Sequence, residues 1–302
     1  MVKLSIVILS WNTKELLKQC LESLKREIQT VGGAEIIVVD NGSSDGSPQM
    51  VEAAFPKVKL IKNKENLGFA KGNNLGLKEA VGKYIMLLNS DTTVGKGALK
   101  VLVTFLEKNG EDNLALSPLL MLPNAQPQID YFMHFPNFWQ IFLYHHPLWR
   151  PIALRVGPVR SLIAQEPAKE PFEVEQLPGA AIVASRKVWQ EVGDLDKDYH
   201  FLFEDVDWSW RAQKKGIKLI VIPEAEVVHF GGGSWRKKLK ENASRFYYQF
   251  FASFLLFVQK NYGSRARTFY KWAIISSFFL TLKPILAFKF WWHNGRQLNL
   301  WG

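Results

Sequence analysis

At 302 residues the chain is long enough to bury a full hydrophobic core, as one large domain or as one domain with an appendage. Its 47% hydrophobic and 22% charged residues exclude an intrinsically disordered chain, and its single cysteine, Cys20, excludes an internal disulfide framework. The single cysteine also fits a reducing compartment, and the first apolar run, of only about half a dozen residues, predicts no secretion signal.

The positive charge is concentrated near the C-terminus. Residues 231–302 carry 12 Lys and Arg and one acidic residue, Glu241, which gives this tail a net charge of +11. The rest of the chain is close to neutral, although the whole has a formal charge of +10. This asymmetry predicts an acidic partner for the tail, either a nucleic acid or an anionic membrane.

Before the tail, apolar strands alternate with helices. The pattern predicts strands at 4–9, 35–39, 58–61 and 84–88, a later strand-like run at 218–222 and helices after the first and third strands. Asn12 followed by Glu15 predicts an N-terminal cap for the first helix. Alternation of fully apolar strands with helices predicts a mostly parallel sheet covered by helices on both faces.

Polar residues follow three of these strands. Ser10 and Asn12 follow the first, Asp40 the second, and Asn89 to Asp91 the fourth. Ligands of such sheets bind beyond the carboxyl ends of the strands, so these side chains predict a binding site, although Asp and Asn also end strands without any function. A carboxylate such as Asp40 suits the imide N–H of uracil or thymine, and Asp91 suits a divalent cation on a diphosphate.

Two common phosphate-binding patterns are missing. No G-x-G-x-x-G follows the first strand and no G-x-x-x-x-G-K-[ST] occurs. These absences argue against a dinucleotide-binding fold and against P-loop phosphoryl transfer. SWNTKE after the first strand is also unlike the glycine-rich loop of a sugar-nucleotide pyrophosphorylase.

Seven segments, in order along residues 4–234, resemble a family 2 glycosyltransferase of the GT-A fold, especially its bacterial rhamnosyltransferase-like branch. They are SIVILSWN, IIVVDNGSSDGS, NLGFAKGNNLGL, YIMLLNSDTTV, LPGAAIVASRKVWQEVGDLD, FLFEDVDWSWRAQKKG and VVHFGGGS. The resemblance implies an α/β, Rossmann-like catalytic domain at 1–234, with a donor half at about 1–115 and an acceptor half at about 116–234. Residues 235–302 then form a helical, membrane-associating tail.

The strand ends and the resemblance together predict the donor site. The predicted nucleotide-binding residues are Ser10, Asn12, Asp40, Asn66, Gly68, Lys71, Asn89, Ser90 and Asp91.

The resemblance also implies a metal site for Mg²⁺ or Mn²⁺. Asn89-Ser90-Asp91 matches the family's D-x-D motif with Asn in place of the first Asp, so Asp91 should bind most of the metal. His229 matches the distal histidine of the family's metal site, and the alternative is an ordinary surface or core imidazole. We therefore expect Asp91 and His229 to lie together.

The acceptor site is predicted in the second half. By family position Asp205 is the catalytic base and Glu204 orients the acceptor or the base, whereas Asp207 is able to pair with Arg211. The alternative is that acidic residues favour the first turn of a helix through its dipole. Gly179 and Ala180 match a small-residue strand beneath the acceptor, and the alternative is a packed core strand.

Residues 130–171 are rich in aromatic and basic residues, in the part of the family that varies and often meets the acceptor. His145 and His146 lie there. Adjacent histidines diverge on both strands and helices, so we interpret them as non-ligands.

The tail combines Trp, Phe and Tyr with Lys and Arg. Residues 272–282 are uncharged but shorter than a bilayer span, so we expect interfacial helices on an anionic membrane, with a single kinked span as the alternative. For the first part of the tail, residues 246–258, we expect packing against the catalytic domain. We expect no nucleic acid, because base-reading polar groups are missing.

The expected function is inverting transfer of a sugar from dTDP-rhamnose, or second a UDP-sugar, to a polyprenyl-diphosphate-linked saccharide of a surface polysaccharide. The expected place is the cytoplasmic face of the cell membrane, peripheral or monotopic. Two alternatives stay open: a polyprenyl-phosphate glycosyltransferase, which needs no base, and a non-catalytic carbohydrate-binding or scaffold protein.

Overall fold

A computed structural model describes residues 2–128, 133–144, 149, 152, 155–165, 167–200, 202–231, 243–280 and 284–295. Nine strands of these residues form one sheet, in the order β3-β2-β1-β4-β8-β6-β9-β5, with β7 paired to β9. The strands are β1 (Leu4–Ser10), β2 (Ala34–Asp40), β3 (Lys59–Lys62), β4 (Tyr84–Asn89), β5 (Thr92–Val94), β6 (Leu114–Met121), β7 (Phe172–Glu173), β8 (Ala181–Ser185) and β9 (Lys218–His229).

Helices cover both faces of the sheet. The helices of the described residues are α1 (Lys14–Glu27), α2 (Ser47–Ala54), α3 (Phe69–Glu79), α4 (Ala98–Asn109), α5 (Gly157–Arg160), α6 (Arg186–Val192), α7 (Glu204–Lys214), α8 (Ala243–Leu280) and α9 (Pro284–Trp292), of which α1, α3, α4 and α7 pack on the sheet. Short 3₁₀ turns at Ile28–Val31 and Glu111–Asn113 and a π turn at Gln140–Tyr144 complete the helical elements of the described residues.

The donor half is the parallel part of the sheet. β1 pairs in parallel with both β2 and β4, and its register places Ser10 beside Asp40 and Leu9 beside Asn89. Equal register brings the carboxyl ends of three strands to one edge, as the alternation of strands and helices predicts.

Each of these strands is buried on both faces. Ile6 and Ile8 belong to the core beneath α1 and α4, whereas Val7 between them belongs to the core beneath α3 and α7. Because successive side chains point to opposite faces, a strand buried on both sides is apolar throughout. That requirement explains why β1 and β4 are continuous apolar runs.

Two glycines let α3 lie close against the sheet. A Cβ on Gly72 would lie 2.4 Å from Cδ1 of Leu9, and a Cβ on Gly76 would lie 2.3 Å from Cγ1 of Val7. Side chains four residues apart share a helix face, so this glycine face gives α3 its tight packing on β1.

The second half of the sheet is mixed. β8 runs antiparallel to β4 and β6, whereas β9 runs parallel to β6 and antiparallel to β5. The pairing of β5 with β9 joins Thr92 to His229, which connects the turn after β4 to the end of the last strand. The β6–β9 pair has a register shift after Pro118, an irregularity of the kind that bends a strand locally.

Two local predictions are wrong, and one predicted strand is longer than expected. Asn12 does not cap α1: Thr13 is the N-cap residue, and Asn12 has a φ of 52° and binds the loop after β2 instead. Gly179 and Ala180 lie in the turn before β8, which begins at Ala181. The strand-like run at 218–222 continues to His229, which is its last residue.

Contacts divide the chain into two compact units. The first comprises residues 1–132, 167–197 and 204–233 and contains the sheet; the second comprises 133–166, 198–203 and 234–302. The predicted domain bounds at 1–234 and 235–302 remain a prediction, although the described part of the tail is helical, as expected.

In the second unit α8 turns back on itself. Gly263 has a φ of 88° and interrupts the helix, and the rings of Phe254 and Tyr270 lie 5.4 Å apart. A straight helix would separate those residues by about 24 Å. α9 packs there too, because the rings of Phe278 and Phe290 are 5.8 Å apart. Among the described residues, no helix combines the length and the apolar character required to cross a membrane.

Candidate functional site

Asp91 and His229 meet at the carboxyl edge of the sheet, as the sequence predicts. Oδ1 of Asp91 lies 3.3 Å from Nε2 of His229, and both side chains are largely buried. The backbone N–H of Phe230 donates to the carbonyl of Asp91 over 2.9 Å, so the β5–β9 pairing fixes this proximity. Residues far apart in sequence therefore form one pair.

A glutamine that the sequence analysis did not single out holds this histidine. The side chain of Gln128 donates from Nε2 to the carbonyl of His229 over 2.6 Å, and its Oε1 lies 3.0 Å from Nδ1 of the ring. Gln128 lies outside the motifs that carry the resemblance, and a Gln beside a turn has no sequence signal of its own.

The Asp91–His229 pair fits two adjacent ligands of one divalent cation. Two atoms each about 2.1 Å from an ion and at right angles would be about 3.0 Å apart, close to the distance in the structure. Among the described residues, no cluster of three or more His, Cys, Asp or Glu is arranged for a metal. The remaining ligands would therefore come from a diphosphate and water, as is common for Mg²⁺.

The turn between β4 and β5 is joined to the end of β1 by hydroxyl groups. Ser90 Oγ lies 3.0 Å from Thr13 Oγ1, which lies 3.0 Å from Ser10 Oγ. The backbone N–H of Asn89 donates to the carbonyl of Ala180 over 2.9 Å. The predicted donor turn is thus anchored to β1 on one side and to the predicted acceptor loop on the other.

Asp40 has a free acceptor at the end of β2. Its side chain is buried, with one oxygen accepting the N–H of Ser43 over 3.0 Å. The other oxygen, Oδ1, has no hydrogen-bond partner in the described part of the chain. A buried unpartnered carboxylate oxygen is unfavourable until a donor reaches it, and a pyrimidine imide N–H is such a donor.

Asn12 forms hydrogen bonds that join the loop after β1 to the loop after β2. Its backbone N–H donates to Ser43 Oγ over 2.9 Å, and its Oδ1 accepts the N–H of Ser44 over 2.8 Å. Lys14 N–H donates to Asp45 in the same way. These bonds hold the loop after β1 against the loop after β2, which begins directly after Asp40.

Asn66 and Gly68 are held by a partly buried amide network around Asn41. Asn41 donates to Oδ1 of Asn66 over 2.8 Å and accepts from Nδ2 of Asn63 over 3.1 Å. Lys71 is exposed on α3 and lines a cavity of about 640 Å³. The network thus anchors the segment that carries Lys71 to the end of β2. Asn41 and Asn63 were missed as site residues, because amides after strands are common turn residues.

Asp205 lies at the start of α7, against Gly179. Its Oδ2 accepts the N–H of Gly179 over 2.7 Å, and a Cβ on Gly179 would lie 3.0 Å from that oxygen. Partial burial raises the pKa of Asp205 above the ordinary aspartate range, against the effect of its hydrogen bonds to Gly179 and Val206. The glycine leaves the space that the carboxylate occupies.

Glu204 is buried beside Asp205. Burial, and then the negative charge of Asp205, raise the pKa of Glu204 well above the ordinary glutamate range. Asp207 instead pairs with Arg211 over 2.8 Å, as its spacing predicts. The first turn of α7 therefore holds two adjacent acids with raised pKa values and one ion pair, an arrangement that the helix dipole alone does not require.

Some predicted features lie outside the described residues. They are His145, His146, the glycines at 232 and 233, and the basic cluster at 236–240.

Comparisons with known proteins agree with this architecture. Residues 5–120 match the model of glycosyl transferase family 2. An N-acetylglucosaminyl-diphospho-decaprenol L-rhamnosyltransferase of Mycobacterium tuberculosis (strain CDC 1551 / Oshkosh) is 26% identical over 244 residues, which are 75% of this chain and 75% of that protein.

Two solved structures share the fold. The mannosyltransferase PcManGT from Pyrobaculum calidifontis, in complex with GDP-Man and Mn²⁺, is 16% identical with a TM-score of 0.56, over 91% of this chain and 72% of that one. GalNAc-T7 with UDP, GalNAc and Mn²⁺ is 18% identical with a TM-score of 0.57, over 84% of this chain and 51% of that one. The predicted GT-A fold class is confirmed. Residues 5–120 belong to glycosyl transferase family 2, and the chain is a glycosyltransferase.

Proposed function

We propose that the protein is an inverting, metal-dependent glycosyltransferase that moves a sugar from a pyrimidine-diphosphate donor to a hydroxyl of a lipid-linked saccharide. The observation that carries the proposal is the meeting of Asp91 and His229 at the same sheet edge as the free oxygen of Asp40. At that edge Asp40 would bind the nucleobase of a nucleoside diphosphate, and Asp91 and His229 would bind the metal ion on its diphosphate. dTDP-rhamnose is the first candidate donor, because the mycobacterial relative is a rhamnosyltransferase, and UDP-sugars are the second.

Donor binding follows from the residues at the edge. Asp40 accepts the imide N–H of uracil or thymine, and the hydroxyl chain of Ser10, Thr13 and Ser90 lies beside the ribose and diphosphate. Mg²⁺ or Mn²⁺, held by Asp91 and His229, would neutralise the charge that develops on the leaving diphosphate. Lys71 adds a positive charge from α3.

The acceptor reacts from the opposite side of the sugar. Asp205 takes the proton of the acceptor hydroxyl, whose oxygen bonds to the anomeric carbon as the bond to the diphosphate breaks with its electron pair. One displacement inverts the configuration at that carbon. The raised pKa of Asp205 makes it a better proton acceptor than an ordinary aspartate.

The neighbouring acid Glu204 supports this assignment. The pKa of Glu204 is also raised, to about 8, so the pair carries less than two negative charges near neutral pH. Glu204 in its protonated form is a hydrogen-bond donor that orients the acceptor or Asp205. The backbone of Gly179 and Ala180 lies beside these two acids, and the N–H of Gly179 donates to Asp205.

The acceptor is a polyprenyl-diphosphate-linked saccharide, and the tail brings the enzyme to the membrane that holds it. Exposed Phe269, Trp272 and Phe279 lie at helical spacing on the second half of α8, and Ile285, Phe288 and Trp292 repeat the pattern on α9. Arg265 and Lys289 are exposed on the same segments. Aromatic faces flanked by cations suit the headgroup region of an anionic bilayer, here the cytoplasmic face of the cell membrane.

The function is tested by a donor screen. We would incubate the protein with dTDP-rhamnose, UDP-glucose, UDP-N-acetylglucosamine and GDP-mannose, with Mg²⁺, Mn²⁺ or EDTA, and measure released nucleoside diphosphate and melting temperature. The proposal expects metal-dependent turnover or stabilisation with a pyrimidine donor. Neither response with any donor would support a non-catalytic binding or scaffold protein.

Membrane binding is tested on liposomes with and without anionic lipid. Replacing Trp272, Phe279 and Trp292 together by Ser should reduce flotation with anionic liposomes at least about 10-fold, because their apolar surface no longer enters the interface. Val81→Ser is the matched control, since Val81 is an equally exposed apolar residue of the other unit. Equal flotation of all three proteins would contradict the membrane surface.

A further inference from the structure

Gln128 is a buried polar residue with a fixed backbone. It follows β6 and the tight turn at 122–126, and its backbone N–H donates to the carbonyl of Leu120 over 2.9 Å. Its side chain is only 6% exposed. The side chain therefore reaches His229 from a rigid position.

The two bonds of Gln128 determine which way its amide points. The carbonyl of His229 only accepts hydrogen bonds, so the amide nitrogen faces it, at 2.6 Å. The amide oxygen then faces Nδ1 of the ring, at 3.0 Å. That oxygen only accepts, so Nδ1 carries the proton.

When a ring with the proton on Nδ1 is neutral, its lone pair is at Nε2. Nε2 faces Oδ1 of Asp91 at 3.3 Å, so two electron pairs point toward the same small space, which a cation stabilises. A second hydrogen-bonded residue behind a metal-binding histidine commonly sets its tautomer and orientation.

We propose that Gln128 is a positioning residue, which holds His229 in the tautomer whose Nε2 binds the metal ion. The inference rests on the proposed metal-dependent function. A neutral amide suits this position, because it accepts from the ring and donates to the carbonyl of the same histidine. A glutamate keeps the acceptor toward Nδ1 but loses the donor when ionised, and a methionine of similar size loses both.

The first test measures Mn²⁺ affinity by calorimetry and electron paramagnetic resonance, in the presence of UDP or dTDP. Gln128→Met should weaken Mn²⁺ binding about 10- to 100-fold, whereas Gln128→Glu should lose less. Gln126→Met is the matched control, because Gln126 is an exposed glutamine of the same turn, and it should bind Mn²⁺ like the wild type. Wild-type affinity in Gln128→Met would overturn the inference.

The second test needs no metal. Nitrogen-15 spectra of the histidine rings at about pH 9, where imidazoles are neutral, report which nitrogen carries the proton, and His229→Gln identifies the signal. The wild type should show His229 protonated at Nδ1, and Gln128→Met should show a mixture of both tautomers. An Nδ1-protonated ring in both proteins, or an Nε2-protonated ring in the wild type, would overturn the inference. If the wild type binds no Mn²⁺, the proposed function fails, and these spectra still decide the role of Gln128.

Discussion

The carboxylate of Asp205 accepts a 2.7 Å hydrogen bond from the backbone N–H of Gly179, and its oxygen would lie only 3.0 Å from a Cβ at position 179. The next residue, Ala180, accepts the N–H of Asn89 through its carbonyl. One short turn therefore connects the predicted base to the predicted metal motif. Gly179 therefore leaves room for the Asp205 carboxylate, a role that its position in a run of small residues does not predict.

Gly179→Ala should lower the transfer rate about 10- to 100-fold, because the new methyl displaces the Asp205 carboxylate from its position. Nucleotide affinity should change little, since the donor residues are untouched. Gly157→Ala is the control, because a Cβ there meets no atom within 4 Å. The measurement is the initial rate with saturating donor, and equal rates for both variants would show that the position of Asp205 is not critical.

Glu204→Gln should stabilise the protein in a pH-dependent manner. The folded-state pKa of Glu204 is raised from 4.5 to about 8, so the wild type loses stability as pH rises between these values, because Glu204 ionises in the unfolded chain while the buried side chain stays protonated. Gln does not ionise. Its advantage should be near zero at pH 4.5 and reach at least about 1 kcal/mol above pH 8.

Melting temperatures of the two proteins across this pH range measure the effect. Glu224→Gln is the matched control, because Glu224 is exposed. A constant difference between Glu204→Gln and the wild type at every pH would contradict a raised pKa.

Asp40→Asn should weaken UDP and dTDP binding about 10- to 100-fold, because the imide N–H loses a charged acceptor. The same substitution should have little effect on N3-methyl-UDP, which has no imide N–H. Calorimetry measures the affinities of the wild type and of Asp40→Asn for UDP and for N3-methyl-UDP. The difference between the two affinity losses gives the interaction energy between Asp40 and the imide N–H. Equal losses for the two nucleotides would show that Asp40 acts on the loop and not on the base.

Asn89→Asp should strengthen Mn²⁺ binding in the presence of UDP, because it adds the negative charge that the family's D-x-D motif usually carries at this position. Asp91→Asn should weaken it at least about 10-fold, because Asn89 brings no compensating charge. Mn²⁺ titrations followed by electron paramagnetic resonance distinguish the two directions. Unchanged affinity in both variants would place the metal elsewhere.

The sequence predicts the donor edge well because each strand is a local pattern. Continuous apolar runs such as 84–88 require burial on both faces, and parallel register then brings Ser10, Asp40 and Asn89 together without further information. The meeting of Asp91 with His229 needed the family resemblance, since no local pattern predicts a contact between β5 and β9.

Other features depend on contacts between residues that are distant in sequence, which local sequence patterns do not predict. Asn12 carries the usual cap chemistry, yet its side chain binds Ser44 from a distant loop, and that competing bond leaves α1 without a side-chain cap. Gln128 acts across two elements of the sheet. The sequence likewise does not predict that β8 is antiparallel to its neighbours, because an apolar strand has the same pattern in a parallel and in an antiparallel pair.

The most direct test of the account is the transfer rate of Asp205→Asn with the donor identified by the screen. Asn keeps the size of the side chain but removes its capacity to accept a proton, so transfer to a hydroxyl acceptor should fall at least about 100-fold. Nucleoside diphosphate affinity should stay within about threefold of the wild type, since the donor edge is unchanged. Wild-type turnover in Asp205→Asn, including turnover with a polyprenyl phosphate acceptor, would contradict its role as the base.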